Sequence, residues 1–262
     1  MNNLFGHIGR VFITFLQDLS SLTYLFIETI KQSIRLLFDR KKREQAGLLE
    51  QVDEVGARSL PLVLAVAALL GIALTVLISF QLKEVGGLNY MPGFVAVAVF
   101  REMGPLLTAL IVTGRVGAAF TARIGTMKVS EEILALETMA INPVRYLIVQ
   151  RFIGMLIALP ALTLLANFTA VFGGFLFGSI RLGIRPDTYV RETLEVLVFM
   201  DVFSGMLKAA VFAVVIVMIG CYRGLVIEGG AEEVGKATMV SVVSSTLSVI
   251  VLDTVMTVAF YG

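Results

Sequence analysis

The sequence predicts an all-α integral membrane protein: five transmembrane helices, an N-terminal interfacial amphipathic helix and a further helix on the cytoplasmic face. Three observations carry this expectation. Hydrophobic residues make up 57% of the 262 and charged residues 16%, with a mean hydropathy of +0.90, well beyond the composition of soluble domains. Apolar runs long enough to cross a bilayer recur along the chain, and Lys and Arg gather in the segments between them.

The first span is Ser59 to Leu82, 24 residues without a charge, long enough at ~1.5 Å per residue to cross a ~30 Å hydrocarbon core. The second covers about 90–122 and contains Arg101, Glu102 and Arg115. Phe152 to Ile180 is uncharged over 29 residues and includes Pro160, which a membrane helix tolerates as a kink. The fourth and fifth cover about 202–222, with Lys208 inside, and 237–260, with Asp253 inside.

Five spans put the termini on opposite sides. With the N-terminus in the cytoplasm, the inner segments hold eight, five and two Lys or Arg, and the outer ones hold Lys83, Arg181, Arg185 and Arg191. The positive-inside rule selects that orientation, with a periplasmic C-terminus.

Residues 1–45 are expected to form a separate N-terminal unit ahead of a membrane-spanning body over 46–262. Phe5, Ile8, Phe12, Phe15, Leu19, Leu22 and Phe26 recur at steps of three and four beside Arg10, Lys31, Arg35 and the basic run 40–43. This is the pattern of a helix lying on an anionic leaflet. An extra transmembrane helix is the alternative, and it would bury Asp18 and Glu28. Arg10 and Asp18 interrupt the order of a cleavable signal, so the segment is expected to remain in the mature protein.

The lone Cys221 and lone His7 argue against a structural disulfide or a His/Cys metal site, and no basic patch of the nucleic-acid-binding kind appears. The run Gly230 to Ala237 nearly spells a phosphate-binding loop. It lacks the Mg²⁺-binding hydroxyl at Ala237, carries Glu232 and Glu233 where phosphate would sit, and has no α/β surroundings. The chain is therefore expected to be non-catalytic and to hold no cofactor of its own.

Between the second and third spans, residues 130–141 read as a short helix with Ile133, Leu136, Met139 and Ala140 at helical spacing. Ser130 is the expected N-cap, Glu131 and Glu132 occupy the first turn, and Asn142-Pro143 is the stop.

Four intramembrane features remain. Glu102 lies ~18 Å below the outer end of its span, near the midplane; it and Arg101 either pair with other helices to hold the bundle together or contact a lipid headgroup. Lys208 and Asp253 sit at matching depths and are expected to form a structural ion pair. Gly71, Leu74, Ile78 and Leu82 share one face of the first span, suited to packing or to lining an acyl-chain pocket. Gly174 and Gly178 form a GxxxG pair for close helix packing.

The residues also carry a resemblance. Arg101-Glu102-Met103-Gly104-Pro105, Thr108-Ala109-Leu110, Gly114-Arg115-Val116-Gly117, Gly125-Thr126-Met127-Lys128, Glu131-Glu132, Ala135-Leu136, Met139, Asn142-Pro143, Arg145-Tyr146-Leu147 and Arg151 look like the signature of the MlaE/YrbE permease family. Gly224, Gly229-Gly230-Ala231, Val234-Gly235 and Lys236-Ala237-Thr238 resemble its last cytoplasmic loop. Arg123 stands where that family commonly has a glutamate, and Gln150 where it commonly has a proline.

The resemblance implies a homodimeric permease of the bacterial inner membrane that moves phospholipids or related lipids between inner and outer membranes. Its implied partners are a cytoplasmic ABC ATPase that binds ATP and Mg²⁺, an MCE-domain protein and a small cytoplasmic accessory protein. It also implies that Glu131, Glu132, Ala135, Leu136 and Met139 dock into the ATPase, and that Glu102, with Arg101, Leu74, Ile78 and Leu82, faces the lipid cavity. Two other classes compete: a membrane scaffold, which has no use for a mid-bilayer acid, and an ion-coupled secondary transporter, for which no inverted repeat is evident.

Overall fold

A computed structural model describes residues 18–35 and 42–262, and every regular element among them is a helix. The helices are α1 (18–35), α2 (Lys42–Val52), α3 (Leu60–Glu84), α4 (Met91–Ala98), α5 (Gly104–Val112), α6 (Ala118–Val129), α7 (Glu132–Thr138), α8 (Val149–Arg181), α9 (Pro186–Val196), α10 (Phe199–Leu225) and α11 (Ala231–Tyr261).

Five continuous helical stretches among the described residues are long and apolar enough to cross a membrane: Gly47–Glu84, Leu88–Val129, Val144–Arg181, Phe199–Leu225 and Ala231–Tyr261. The chain is a multi-pass membrane protein. Each stretch contains one of the five expected spans and overruns it, because helical hydrogen bonding continues past the last apolar residue. The second is 42 residues long, roughly 60 Å of helix, so it projects well beyond a bilayer.

That stretch is not uniform. α4, α5 and α6 are separated by single π-helical turns at Val99–Met103 and Thr113–Gly117, and each turn rotates the helix that follows relative to an unbroken α-helix. Arg101 and Glu102 lie on the first turn, Arg115 on the second. The apolar pattern gives no sign of these turns.

Two cores fill the bundle. At the basic end Phe120, Ile124, Met155, Phe212, Ile216 and Cys221 pack together; at the other end Val63, Met91, Val95, Phe100 and Tyr189 do. α3 crosses α8 backbone to backbone. A Cβ on Gly71 would lie 1.7 Å from the Ala170 carbonyl oxygen, and one on Gly173 would lie 2.5 Å from that of Ala68.

Gly174 and Gly178 make room for α9. A Cβ on either would come within 2.8 and 3.2 Å of Tyr189, and Gly174 also faces Thr75 of α3. Tyr189 is 1% exposed and meets Phe175 edge to face at 5.4 Å. Burial pushes its phenol pKa up to about 12, so it packs as a neutral group.

The expected N-terminal stripe reaches the described residues only at Leu19, Leu22 and Phe26; Phe5, Ile8, Phe12 and Phe15 lie outside them. α1 has three distinct sides. Leu25, Thr29, Gln32 and Ser33 are buried, with Phe26 edge-on to Phe152 at 6.5 Å. Leu19, Ile27, Ile30 and Ile34 form an exposed apolar side, while Lys31 and Arg35 lie on the third. Protein, lipid and water together ask for that arrangement. Asp18 ties the helix to α10, accepting from Tyr222 Oη at 2.8 Å and pairing with Arg223 at 3.3 Å.

Ser130 does not cap α7 as the sequence suggests. α6 runs to Val129, so Ser130 closes it: its N–H donates to the Thr126 carbonyl, and its single hydroxyl proton serves either that carbonyl or Glu132 Oε1, both at 2.9 Å. The chain then turns at Glu131, the residue preceding α7, in the left-handed region at φ 60°. α7 ends in a Schellman motif: Ile141 N–H donates to Leu136 O and Ala140 N–H to Glu137 O, with Ala140 at φ 56°. Left-handed backbone at non-glycine residues on both sides costs roughly 1–2 kcal/mol at each, so the angle of this short helix is imposed by its surroundings.

Candidate functional site

Pro105 starts the site. A residue at that position would ordinarily give its N–H to the carbonyl four residues back, Arg101, or five back in a π-turn, Phe100; proline has no N–H to give. Both carbonyls turn to α10 instead. Lys208 Nζ donates to Arg101 O at 3.1 Å, and Gly205 is required because a Cβ there would lie 2.2 Å from Phe100 O.

Lys208 is fully buried and surrounded by oxygen. Besides the Arg101 carbonyl it meets Glu102 Oε2 at 2.8 Å, Thr257 Oγ1 at 2.7 Å and Asp253 Oδ1 at 3.0 Å. The Asp253 contact is ionic, without hydrogen-bond alignment. Thr257 Oγ1 lies 2.8 Å from both Glu102 Oε1 and the Asp253 carbonyl; its single proton serves one of them at a time. Three stretches of chain that are distant in sequence thus converge on one ammonium.

A second cluster adjoins it. Arg101 Nε donates to Asp201 Oδ1 at 2.6 Å, and its guanidinium lies 4.3 Å from the centre of the Tyr261 ring. Tyr261 Oη and Ser204 Oγ are 2.6 Å apart. Asp201 is buried, and its other oxygen accepts Val198 N–H at 3.0 Å, closing the first turn of α10. Arg101 and Glu102 keep 35% and 31% of their side chains exposed. With Tyr261, which is also exposed, they are the parts of the network that a ligand could reach.

The structure therefore brings Arg101, Glu102, Lys208 and Asp253 into one network. It places Leu74, Ile78 and Leu82 in another seam of the bundle, partly buried against the core around Met91 and Tyr189. Sequence reasoning missed Asp201, Thr257, Tyr261 and Ser204. One signal was available: Arg101 had no assigned counter-charge, and Asp201 is the acid at the start of the fourth span.

At the basic end, α7 anchors itself through buried Ile133 and half-buried Leu136. Glu131, Glu132, Ala135 and Met139 are exposed, and with Leu134, Ile141 and Tyr146 they present an apolar patch rimmed by acids. Arg123 pairs with Glu54 at 2.6 Å, so the cation there has its own acid within the chain. Gln150 lies against Gly47, where a Cβ would meet its Oε1 at 2.6 Å. The glycine-rich run 230–237 leads into α11, and Lys236 is held by Glu232 and Glu233 at 2.9 and 2.7 Å.

Residues 48–259 match the family described as Permease MlaE. A probable ABC transporter permease protein of Synechocystis is 36% identical over 203 residues, covering 78% of this chain and 77% of the relative. One of Rickettsia conorii is 31% identical over 259 residues, covering 99% and 98%. The chloroplastic protein TRIGALACTOSYLDIACYLGLYCEROL 1 of Arabidopsis thaliana is 32% identical over 237 residues, covering 90% of this chain and 68% of the relative.

Proposed function

The chain belongs to the MlaE permease family and is an ABC transporter permease, and we propose that its cargo is phospholipid or a related membrane lipid. The observation that carries this reading is the half-exposed Arg101–Glu102 pair in mid-membrane. Apolar side chains are exposed elsewhere on the helices that build the site, Phe199, Phe203 and Leu207 of α10 and Val251, Val255 and Val258 of α11, on the sides turned away from Lys208 and Asp253. A lipid has that composition: charge at one end and hydrocarbon along its length. The glycerolipid in the name of the Arabidopsis relative points to the same class of cargo.

In this reading two copies face each other across a shared cavity in the bacterial inner membrane, with α7 in the cytoplasm and the C-terminus outside. ATP is bound and hydrolysed by a separate ATPase, which receives the patch of Glu131, Glu132, Ala135, Leu136 and Met139. An MCE-domain protein accepts or delivers lipid on the outer side. Arg101 and Glu102 hold the headgroup, while Lys208 and Asp253 set the position of Glu102. No covalent step falls to this chain.

The test is gentle detergent extraction of the tagged chain from its native membrane, followed by mass spectrometry of everything retained. Recovery of an ABC ATPase, an MCE-domain protein and phospholipid is the expected outcome. A chain that brings down protein partners but no lipid would contradict the cargo and favour a scaffold.

A further inference from the structure

The joined clusters contain two cations, Arg101 and Lys208, and three carboxylates, Glu102, Asp201 and Asp253. One negative charge is in excess. Among the described residues no other cation pairs with these acids, and an uncompensated charge at this depth is expensive.

The excess is shared by Asp253, 11% exposed and meeting Lys208 without hydrogen-bond alignment, and Glu102, and of the two Glu102 is the open one. Lys208 is fully enclosed and already meets four oxygens with its three protons. Asp201 is spent on Arg101 and the Val198 N–H. Glu102 has Lys208 on one carboxylate oxygen and, on the other, the Thr257 proton that it shares with the Asp253 carbonyl, leaving lone pairs on a side chain that is 31% exposed. The next residue back offers the opposite charge: among the described residues Arg101 reaches an acid through Nε alone, which leaves the terminal nitrogens of its guanidinium for an incoming oxyanion.

Resting on the lipid-permease reading, we infer that the site selects headgroups that carry an ammonium next to a phosphate. Arg101 takes the phosphate and Glu102 takes the ammonium, so that this headgroup adds no net charge to a cluster already one negative charge in excess, whereas one without the amine adds a second. An anionic headgroup without an amine satisfies Arg101 but leaves Glu102 uncompensated. The two poles lie on adjacent residues of one π-turn, so a short headgroup can reach both.

The full chain, reconstituted in nanodiscs of equimolar phosphatidylethanolamine and phosphatidylglycerol with identical acyl chains, tests this by native mass spectrometry of retained lipid. The wild type is expected to hold the ethanolamine lipid in about fivefold excess, the yield of one partly solvated charge pair. Glu102→Gln, which preserves shape and both oxygen-side contacts in part, should bring the ratio to about one. Equal retention by the wild type, as expected if a proton neutralises the cluster, overturns the headgroup inference while leaving a lipid permease. An excess unchanged in Glu102→Gln overturns the assignment to Glu102. Failure to retain either lipid contradicts the lipid cargo itself, and the inference falls with it.

Discussion

Where α3 crosses α8, glycine lets backbone meet backbone and no charge is involved; where the second span meets α10 and α11, glycine and proline instead leave two carbonyls and a buried lysine facing each other. The first joint is held by shape, and any added atom strains it. The second is held by charges, and its strength depends on what balances them. A transporter needs both kinds: one seam that stays closed and one whose energy changes when cargo arrives.

The largest effect should come from removing the ion at the centre of the second joint. Lys208→Met leaves Glu102 and Asp253 facing each other without a cation, a loss of about 3–5 kcal/mol, visible as a collapse in membrane yield and in thermal stability after extraction. Exchanging the pair as Lys208→Asp with Asp253→Lys should not restore it, because the new aspartate would face Glu102, which lies 2.8 Å from the lysine nitrogen. Adding Glu102→Gln to the exchange should recover yield; rescue by the exchange alone would show that Glu102 is not part of the joint.

Gly71→Ala tests the first joint. The new methyl carbon would sit 1.7 Å from the Ala170 carbonyl oxygen, and helix backbone cannot move aside cheaply, so stability should fall by about 2–3 kcal/mol without changing which lipid is retained. A change in lipid preference would mean that the two seams are coupled.

The smallest effect belongs to the surface. Arg123→Glu replaces the Glu54 pair with repulsion, but Arg123 is 51% exposed, so the loss should stay under about 1 kcal/mol and be recovered by Glu54→Arg in the same chain.

The five spans could be read from the sequence because apolar length is a local property, and the matching depths of Lys208 and Asp253 because depth is counted along a helix. What escaped notice depends on rotation and on distant residues. The π-turn at Val99–Met103 leaves no trace in hydrophobic periodicity, although the Gly104-Pro105 pair just after it marks a break in backbone bonding. Glu102 as a second partner of Lys208, and Asp201 with Tyr261 around Arg101, require knowing which faces meet. Ser130 misled because a serine before acids fits an N-cap, whereas here it finishes the preceding helix.

Glu102 carries the central claim, and its most direct test is ATP-driven lipid transfer by the complex in proteoliposomes made with wild-type chain or with Glu102→Ala. The account predicts that the variant assembles with its ATPase, shows a normal elution profile and transfers almost no lipid. Transfer at the wild-type rate by an assembled variant would contradict it.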